Sequence, residues 1–190
     1  MLKTKSVCKN MHYSLNFLNF KPYYNGRDNV NYIMAYKVKF TDDSKYDVGE
    51  DQSDINKLFG ISYGHHHKQS DRIGWRYNKT TGLMDLFLYS YENSKRIKTY
   101  LISVAICDYN IYTITLDVME NNGYRNTNVS IYSENLGIPT KLISISYMYK
   151  HTHTKYGYSL GLYFGGNQKA PKTIKMDIEK IQSEKYNISN

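Results

Sequence analysis

The chain has 190 residues, enough for one domain that buries roughly 70% of its unfolded surface, so neither a disulfide framework nor a structural metal is required. Only 3 Pro, with frequent Ile, Leu and Tyr, exclude a disordered chain, and 21 Tyr against 6 Phe and 1 Trp suit half-exposed sheet faces and binding surfaces. The net charge of +8 comes from lysines spread in ones and twos, so no nucleic-acid partner is expected from it.

The N-terminal stretch MLKTKSVCKNMHYSLNFLNF is basic, but Lys9, Asn10, His12 and Asn16 interrupt any apolar signal-peptide core, and nothing in the chain has the length of a membrane span. Cys8 and Cys107 are far apart and read as free thiols. A short strand is expected within residues 12–20, with Leu15 and Phe17 on one side, followed by a loop over Pro22 to Asp28. From Asn31 to Phe40, the apolar residues Tyr32, Met34, Tyr36, Val38 and Phe40 alternate with Lys37 and Lys39, the period-2 pattern of a strand. Residues 41–57 gather Asp42, Asp43, Asp47, Glu50, Asp51 and Asp54 in one stretch. The D-x-D-x-D-G spacing of common calcium loops is missing, so a solvated loop is preferred over a non-standard calcium site.

Leu58 to Tyr63, Arg72 to Tyr77 and Leu83 to Tyr91 read as three strands, with Asn78 to Gly82 as the turn between the last two. Strand parity places Ile73, Trp75 and Tyr77 on one face of the middle strand and Arg72, Gly74 and Arg76 on the other. Trp75 is therefore expected in the core, and His65, His66 and His67 on the connecting loop. Lys95 to Cys107 follows as a strand with an apolar second half. In Tyr109 to Met119, Ile111, Thr113, Thr115 and Asp117 alternate with Tyr112, Ile114, Leu116 and Val118. Asn122-Gly123 is a hairpin signal because both residues tolerate positive φ, and it leads to a short strand near Val129 to Tyr132. Lys141 to Lys150, Tyr156 to Phe164 and Thr173 to Ile181 alternate again; a helix fits only the last dozen residues or residues 51–59. Ten or more short strands joined by Gly/Asn turns predict an all-β sandwich or barrel over residues 1–190.

Three clusters carry chemistry. His65, His66 and His67 precede Arg72, Trp75 and Arg76; polar rings beside Arg suit a sugar or acidic glycan better than zinc, since rings stack on sugar faces while Arg meets carboxylate or sulfate. His151 and His153 have the same-face spacing of a cupin metal site but lack the further Glu and His, so a polar hairpin tip is preferred. Tyr156, Tyr158, Tyr163 and Asn167 flank the Gly-rich segment Gly161 to Gly166. Tyr beside His and Arg is the equipment of β-eliminating polysaccharide lyases, in which Arg or Asn neutralises a uronate carboxylate while His or Tyr handles protons. The paired carboxylates of glycosidases, a nucleophile elbow, a P-loop and a dinucleotide fingerprint are all missing.

The succession YIMAYKVKF, an acidic loop, KLFGISYG, DRIGWRYNKTTGLMDLFLYSY and YGYSLGLYFGGNQKAPKTIKMDIEKI resembles the concanavalin A-like lectin/glucanase jelly roll, and more closely jelly-roll proteins of Bacteroidetes and their tailed phages. It is also similar to the core of jelly-roll polysaccharide lyases, where a Lys-Leu-x-Gly-Leu strand precedes an Arg/Trp-Arg strand and a Tyr-rich strand. The resemblance implies a two-sheet antiparallel jelly-roll sandwich, with carbohydrate or polysaccharide, or other virion proteins, bound at its curved face or loop edge. It also implies a virion or cell-exterior location reached by lysis instead of secretion, with a homo-oligomer as one arrangement.

The preferred reading is a non-catalytic structural or glycan-binding module. The alternative is a lyase acting on a uronate polymer, which requires His, Tyr and Arg from separate strands to converge on one cleft. A metal-dependent cupin-like enzyme ranks third. The expected ligand-binding residues are His65, His66, His67, Arg72, Arg76, Tyr89, Tyr158 and Asn167; no catalytic residue, metal ligand or cofactor is assigned.

Overall fold

The computed structural model describes residues 1–13, 22–24, 30–107, 109–121, 123–135, 138–150 and 156–187. Their strands are β1 (Lys3–Val7), β2 (Pro22–Tyr24), β3 (Val30–Phe40), β4 (Asn56–Tyr63), β5 (Ser70–Asn78), β6 (Leu83–Glu92), β7 (Lys95–Val104), β8 (Ile111–Asn121), β9 (Tyr124–Asn135), β10 (Ile138–Lys150), β11 (Tyr156–Leu160) and β12 (Ile174–Asn187). They form two six-stranded sheets, one ordered β1-β12-β3-β8-β9-β10 and the other β2-β11-β4-β5-β6-β7. Neighbours pair antiparallel throughout, for example β3 with β8 and β5 with β6. The chain is an all-β, two-sheet antiparallel sandwich, as its alternating patterns require.

The alternation sorts residues as expected. Tyr112, Ile114, Leu116 and Val118 of β8 are buried against Val38, Met34 and Tyr32 of β3, while Thr113, Thr115 and Asp117 face outward. Trp75 is fully buried, with its ring 6.4 Å from Phe40, 5.6 Å from Tyr46 and 6.2 Å from Phe164. These rings fill the space between the sheets, where large aromatic side chains contribute most to burial.

Several expectations need correction. Of residues 51–59 only 51–53 are helical, as the end of the 3-10 helix Gly49–Ser53, and β4 begins at Asn56. The C-terminal segment is also extended, because β12 pairs with β3 as far as Asn187↔Val30. Part of the expected loop after residue 21 is strand β2, which pairs with β11, and β1 was not foreseen. The strand expected near Val129 to Tyr132 runs from Tyr124 to Asn135, β7 stops at Val104, and β11 ends at Leu160. Residues 14–20 of the first strand expectation, Asn122, and the pair His151 and His153 lie outside the described residues.

Between the sheets lies a charged cluster. Arg125 Nε stands 2.6 Å from Asp71 Oδ2, and both side chains are fully buried. Asp71 also accepts hydrogen bonds from Ser90 Oγ (2.5 Å), Thr127 Oγ1 (2.9 Å) and Tyr63 OH (3.2 Å). The guanidinium lies between the rings of Tyr63 (4.7 Å) and Tyr149 (5.0 Å). Such a pair is stable only with its remaining hydrogen-bonding capacity satisfied, and here it ties β5 and β6 to β9 of the opposite sheet.

Candidate functional site

The outer face of the β4-β5-β6 sheet carries a cleft of about 420 Å³, lined by Lys57, His66, His67, Arg72, Tyr89 and Tyr91, with Tyr13, Leu160, Tyr163, Asn167 and nearby glycines along one wall. Arg72 and Asp71 are adjacent in sequence and, by strand parity, point to opposite faces. Asp71 goes into the sandwich and Arg72 onto the cleft floor. Glycine at position 60 makes room for it: a Cβ there would stand 2.3 Å from Asp71 O and 2.8 Å from Arg72 Cγ.

Lys57 reaches the same floor through a β-bulge. Counting back from Tyr63, Ile61 and Phe59, which all point inward, regular alternation would bury Lys57 between the sheets. The register shift between Lys57 and Phe59 instead sets Lys57 opposite Gly74 and Phe59 opposite Ile73. Lys57 Nζ therefore lies over the rings of Tyr89 (4.5 Å) and Tyr163 (5.2 Å), a cation–π arrangement on both sides.

The histidine loop is folded back on the end of β5. Its turn begins at Gly64 (φ 76°), and Ser70 Oγ and Arg72 Nη2 both donate to His66 O, at 2.7 and 3.2 Å. His66 Nδ1 is hydrogen-bonded to Tyr158 OH, and His67 packs beside Tyr91 with centroids 5.4 Å apart. On the opposite wall Gly165 N donates to Asn56 Oδ1 (2.6 Å), and Asn56 Nδ2 donates to Tyr46 OH (2.8 Å), pinning the backbone just before Asn167. Gly165 has φ +99°, and a Cβ there would stand 2.1 Å from Gln168 O, so only glycine fits.

The electrostatics of this floor are lopsided. Lys57 and Arg72 are 8% and 7% exposed, and among the described residues neither has a carboxylate ion-pair partner. Arg72 Nε is buried without a hydrogen-bond acceptor. Burial, then repulsion from Arg72, pushes the Lys57 amine down to about 8. Burial and the same guanidinium push His66 down to about 4 and lower His67. Both imidazoles are therefore neutral at neutral pH. Burial and a hydrogen bond with Tyr91 raise the Tyr89 phenol to about 12, so it stays protonated. A floor with two cations lacking ion-pair partners among the described residues, neutral imidazoles and a protonated phenol can bind an anion and move protons beside it.

Of the eight residues expected from sequence, His66, His67, Arg72, Tyr89 and Asn167 line this cleft. Tyr158 stands behind His66 as its hydrogen-bond partner. His65 is exposed and stacks on His66 (5.2 Å) outside the lining, and Arg76 is held by Asp85 (2.8 Å) over the ring of Phe87 (5.1 Å). Sequence reasoning missed Lys57 and Tyr91. Lys57 closes the acidic stretch read as a solvated loop, and only the bulge turns it outward. Acids of that stretch meet lysines: Asp42 with Lys45 (2.6 Å), Asp47 with Lys79 and Asp43 with Lys175 (3.2 Å).

No family model matches the sequence, and no curated protein matches it. Solved structures share the fold at low identity. The exolytic PL7 alginate lyase AlyA5 from Zobellia galactanivorans superposes with TM-score 0.54 at 9% identity, covering 100% of this chain and 85% of that one. Alginate lyase vAL-1 from Chlorella virus gives 0.52 at 14% identity, over 97% and 85%. A CBM2 module of the evolved Dit protein from Lactobacillus casei BL23 phage J-1 reaches only 0.42 at 9% identity, over 98% and 70%, and adds nothing to the fold assignment. The two sheets and the two alginate-lyase likenesses define an antiparallel jelly-roll sandwich.

Proposed function

We propose that the cleft binds a uronate-containing polysaccharide and cleaves it by β-elimination. The observation that carries this reading is the meeting of Arg72, Lys57, His66, His67 and Tyr89, from two strands, a strand bulge and a loop, in one cleft whose two buried cations have no carboxylate ion-pair partner among the described residues. Arg72 and Lys57 would take the uronate carboxylate, drawing charge from it and acidifying the C5 proton. A neutral imidazole, His67 or His66, accepts that proton; the C5–H electron pair becomes the C4=C5 double bond, and the C4–O4 bond breaks. Tyr89, held protonated, donates its proton to the departing O4. The products are a 4,5-unsaturated uronate at the new non-reducing end and a fresh reducing end.

Two of the structural likenesses are to enzymes titled alginate lyases, which makes 1,4-linked uronates, alginate among them, the first polymers to test. A place at the cell exterior or in a virion belongs to the same proposal, because such polymers lie outside cells. A second reading, binding without cleavage, uses the same floor. It is favoured by the exposure of His67 at the rim, where solvent reaches the proposed base. Incubation with a panel of polyuronates separates the two: growth of the ultraviolet absorbance of the unsaturated product supports elimination, whereas retention on immobilised polyuronate without absorbance leaves binding alone.

A further inference from the structure

The cation-lined floor does not stop at the cleft. Cross-strand pairing carries it over β6 to β7, the edge strand of the sheet: Arg72 pairs with Tyr89 and Tyr89 with Lys98, while Gly74 pairs with Phe87 and Phe87 with Tyr100. Directly paired residues share a face, so Lys98 and Tyr100 project on the side of Arg72. Both are exposed, and Tyr100 meets Phe87 edge-on with centroids 5.8 Å apart. Lys98 has no carboxylate partner among the described residues. The acid that β6 places on this face, Asp85, is already engaged by Arg76 and Ser103.

We infer that Lys98 and Tyr100 form an outer subsite on β7 that holds a second anionic sugar of the polymer whose scissile unit sits over Arg72. The inference rests on the reading of the cleft as a polyuronate site. Strands lie about 4.8 Å apart, so a chain laid across them meets Lys98 roughly 10 Å beyond Arg72, further along the same polymer. Tyr100 offers an exposed ring for a sugar face beside the ammonium. The cleft is walled on the other side by the histidine loop and the 161–167 segment, so the polymer's free run is toward β7. The protein thus prefers a long anionic chain to a short oligomer.

The test compares Lys98→Ser/Tyr100→Ser with the unaltered protein, on a defined uronate trimer and on a long polyuronate, by dissociation constant and rate of unsaturated-product formation. The expected result is a loss of affinity on the polymer at least about tenfold greater than the loss on the trimer, with a shallower salt dependence for the polymer. Equal losses on both ligands, or none on either, overturn the subsite. Circular dichroism of the variant keeps misfolding apart from lost contact, and Lys98→Arg restoring polymer affinity supports the ionic contact. If the unaltered protein neither binds nor cleaves either ligand, the polyuronate reading itself has failed, an outcome separate from failure of the β7 subsite.

Discussion

Asp71 and Arg72 are neighbours in sequence, yet they serve two regions with opposite logic. Behind the sheet, Arg125 is fully buried beside Asp71, whose carboxylate also accepts from Ser90, Thr127 and Tyr63. In front of it, Arg72 and Lys57 are nearly as buried and repel each other; Asp54 offsets part of that repulsion at Lys57, but neither cation has a carboxylate ion-pair partner among the described residues. The inner region is a closed account in which charge is balanced by charge, and it holds the sheets together. The outer region carries unbalanced charge that costs the folded chain stability. Buried cations persist in such a place when a ligand supplies the missing anion, and a site of this kind trades stability for binding.

The largest effect should come from breaking the inner pair. Arg125→Met leaves the Asp71 carboxylate buried without its countercharge and is expected to lower stability by about 3–5 kcal/mol in urea unfolding. The double variant Arg125→Met/Asp71→Leu should recover most of that loss, because no orphaned charge remains. If the single variant costs nothing, the two regions do not differ as described.

Lys57→Met should act in the opposite direction on stability while weakening the binding of a polyuronate. The amine is lowered from 10.5 to about 8, so its burial costs the folded state up to about 3 kcal/mol at neutral pH, less whatever the flanking rings return. The sign follows from proton counting. Between about 8 and 10.5 the unfolded chain holds the proton that the folded chain has released, so stability rises with pH through that window. The stabilising difference made by Lys57→Met should therefore be full below pH 8 and shrink as pH rises toward 10.5. Affinity for polyuronate should fall as the amine loses its charge on the alkaline side in the unaltered protein and stay level in Lys57→Arg.

Tyr89→Phe keeps the ring under Lys57 and removes the hydroxyl, with the proton that the leaving oxygen would take and the hydrogen bonds to Tyr91 and Arg96. Turnover is expected to drop about 10²-fold with little change in KM. An equal loss in KM alone would make Tyr89 a binding ring and nothing more. Arg76→Ala should show the smallest effect on the ligand, a change in affinity of less than about threefold. Its guanidinium is already committed to the buried Asp85 and lies outside the residues lining the cleft.

The strands were legible because their residues alternate, and the division of Arg72 from Trp75 followed from counting along one strand. What lay beyond sequence depended on a break in that counting or on contact at a distance. Lys57 follows the acids of residues 41–54, and a single bulge residue reverses the face it occupies. Arg125 sits 54 positions from Asp71, on a strand of the other sheet, and nothing in either neighbourhood names its partner. The choice between strand and helix at the C-terminus lay beyond sequence for another reason: the period of a few apolar residues in a charged segment fits either conformation, and pairing with β3 decides it.

Arg72 is the centre of the cleft's cations. Product formation from a long polyuronate, followed by the absorbance of the unsaturated uronate for the unaltered protein and for Arg72→Gln, tests their role most directly. The prediction is steady growth of absorbance for the former and a rate at least about 10²-fold lower for the latter, with thermal unfolding of Arg72→Gln no earlier than that of the unaltered chain. Equal rates in the two proteins, or no binding and no product from any polyuronate with the unaltered protein, would contradict it.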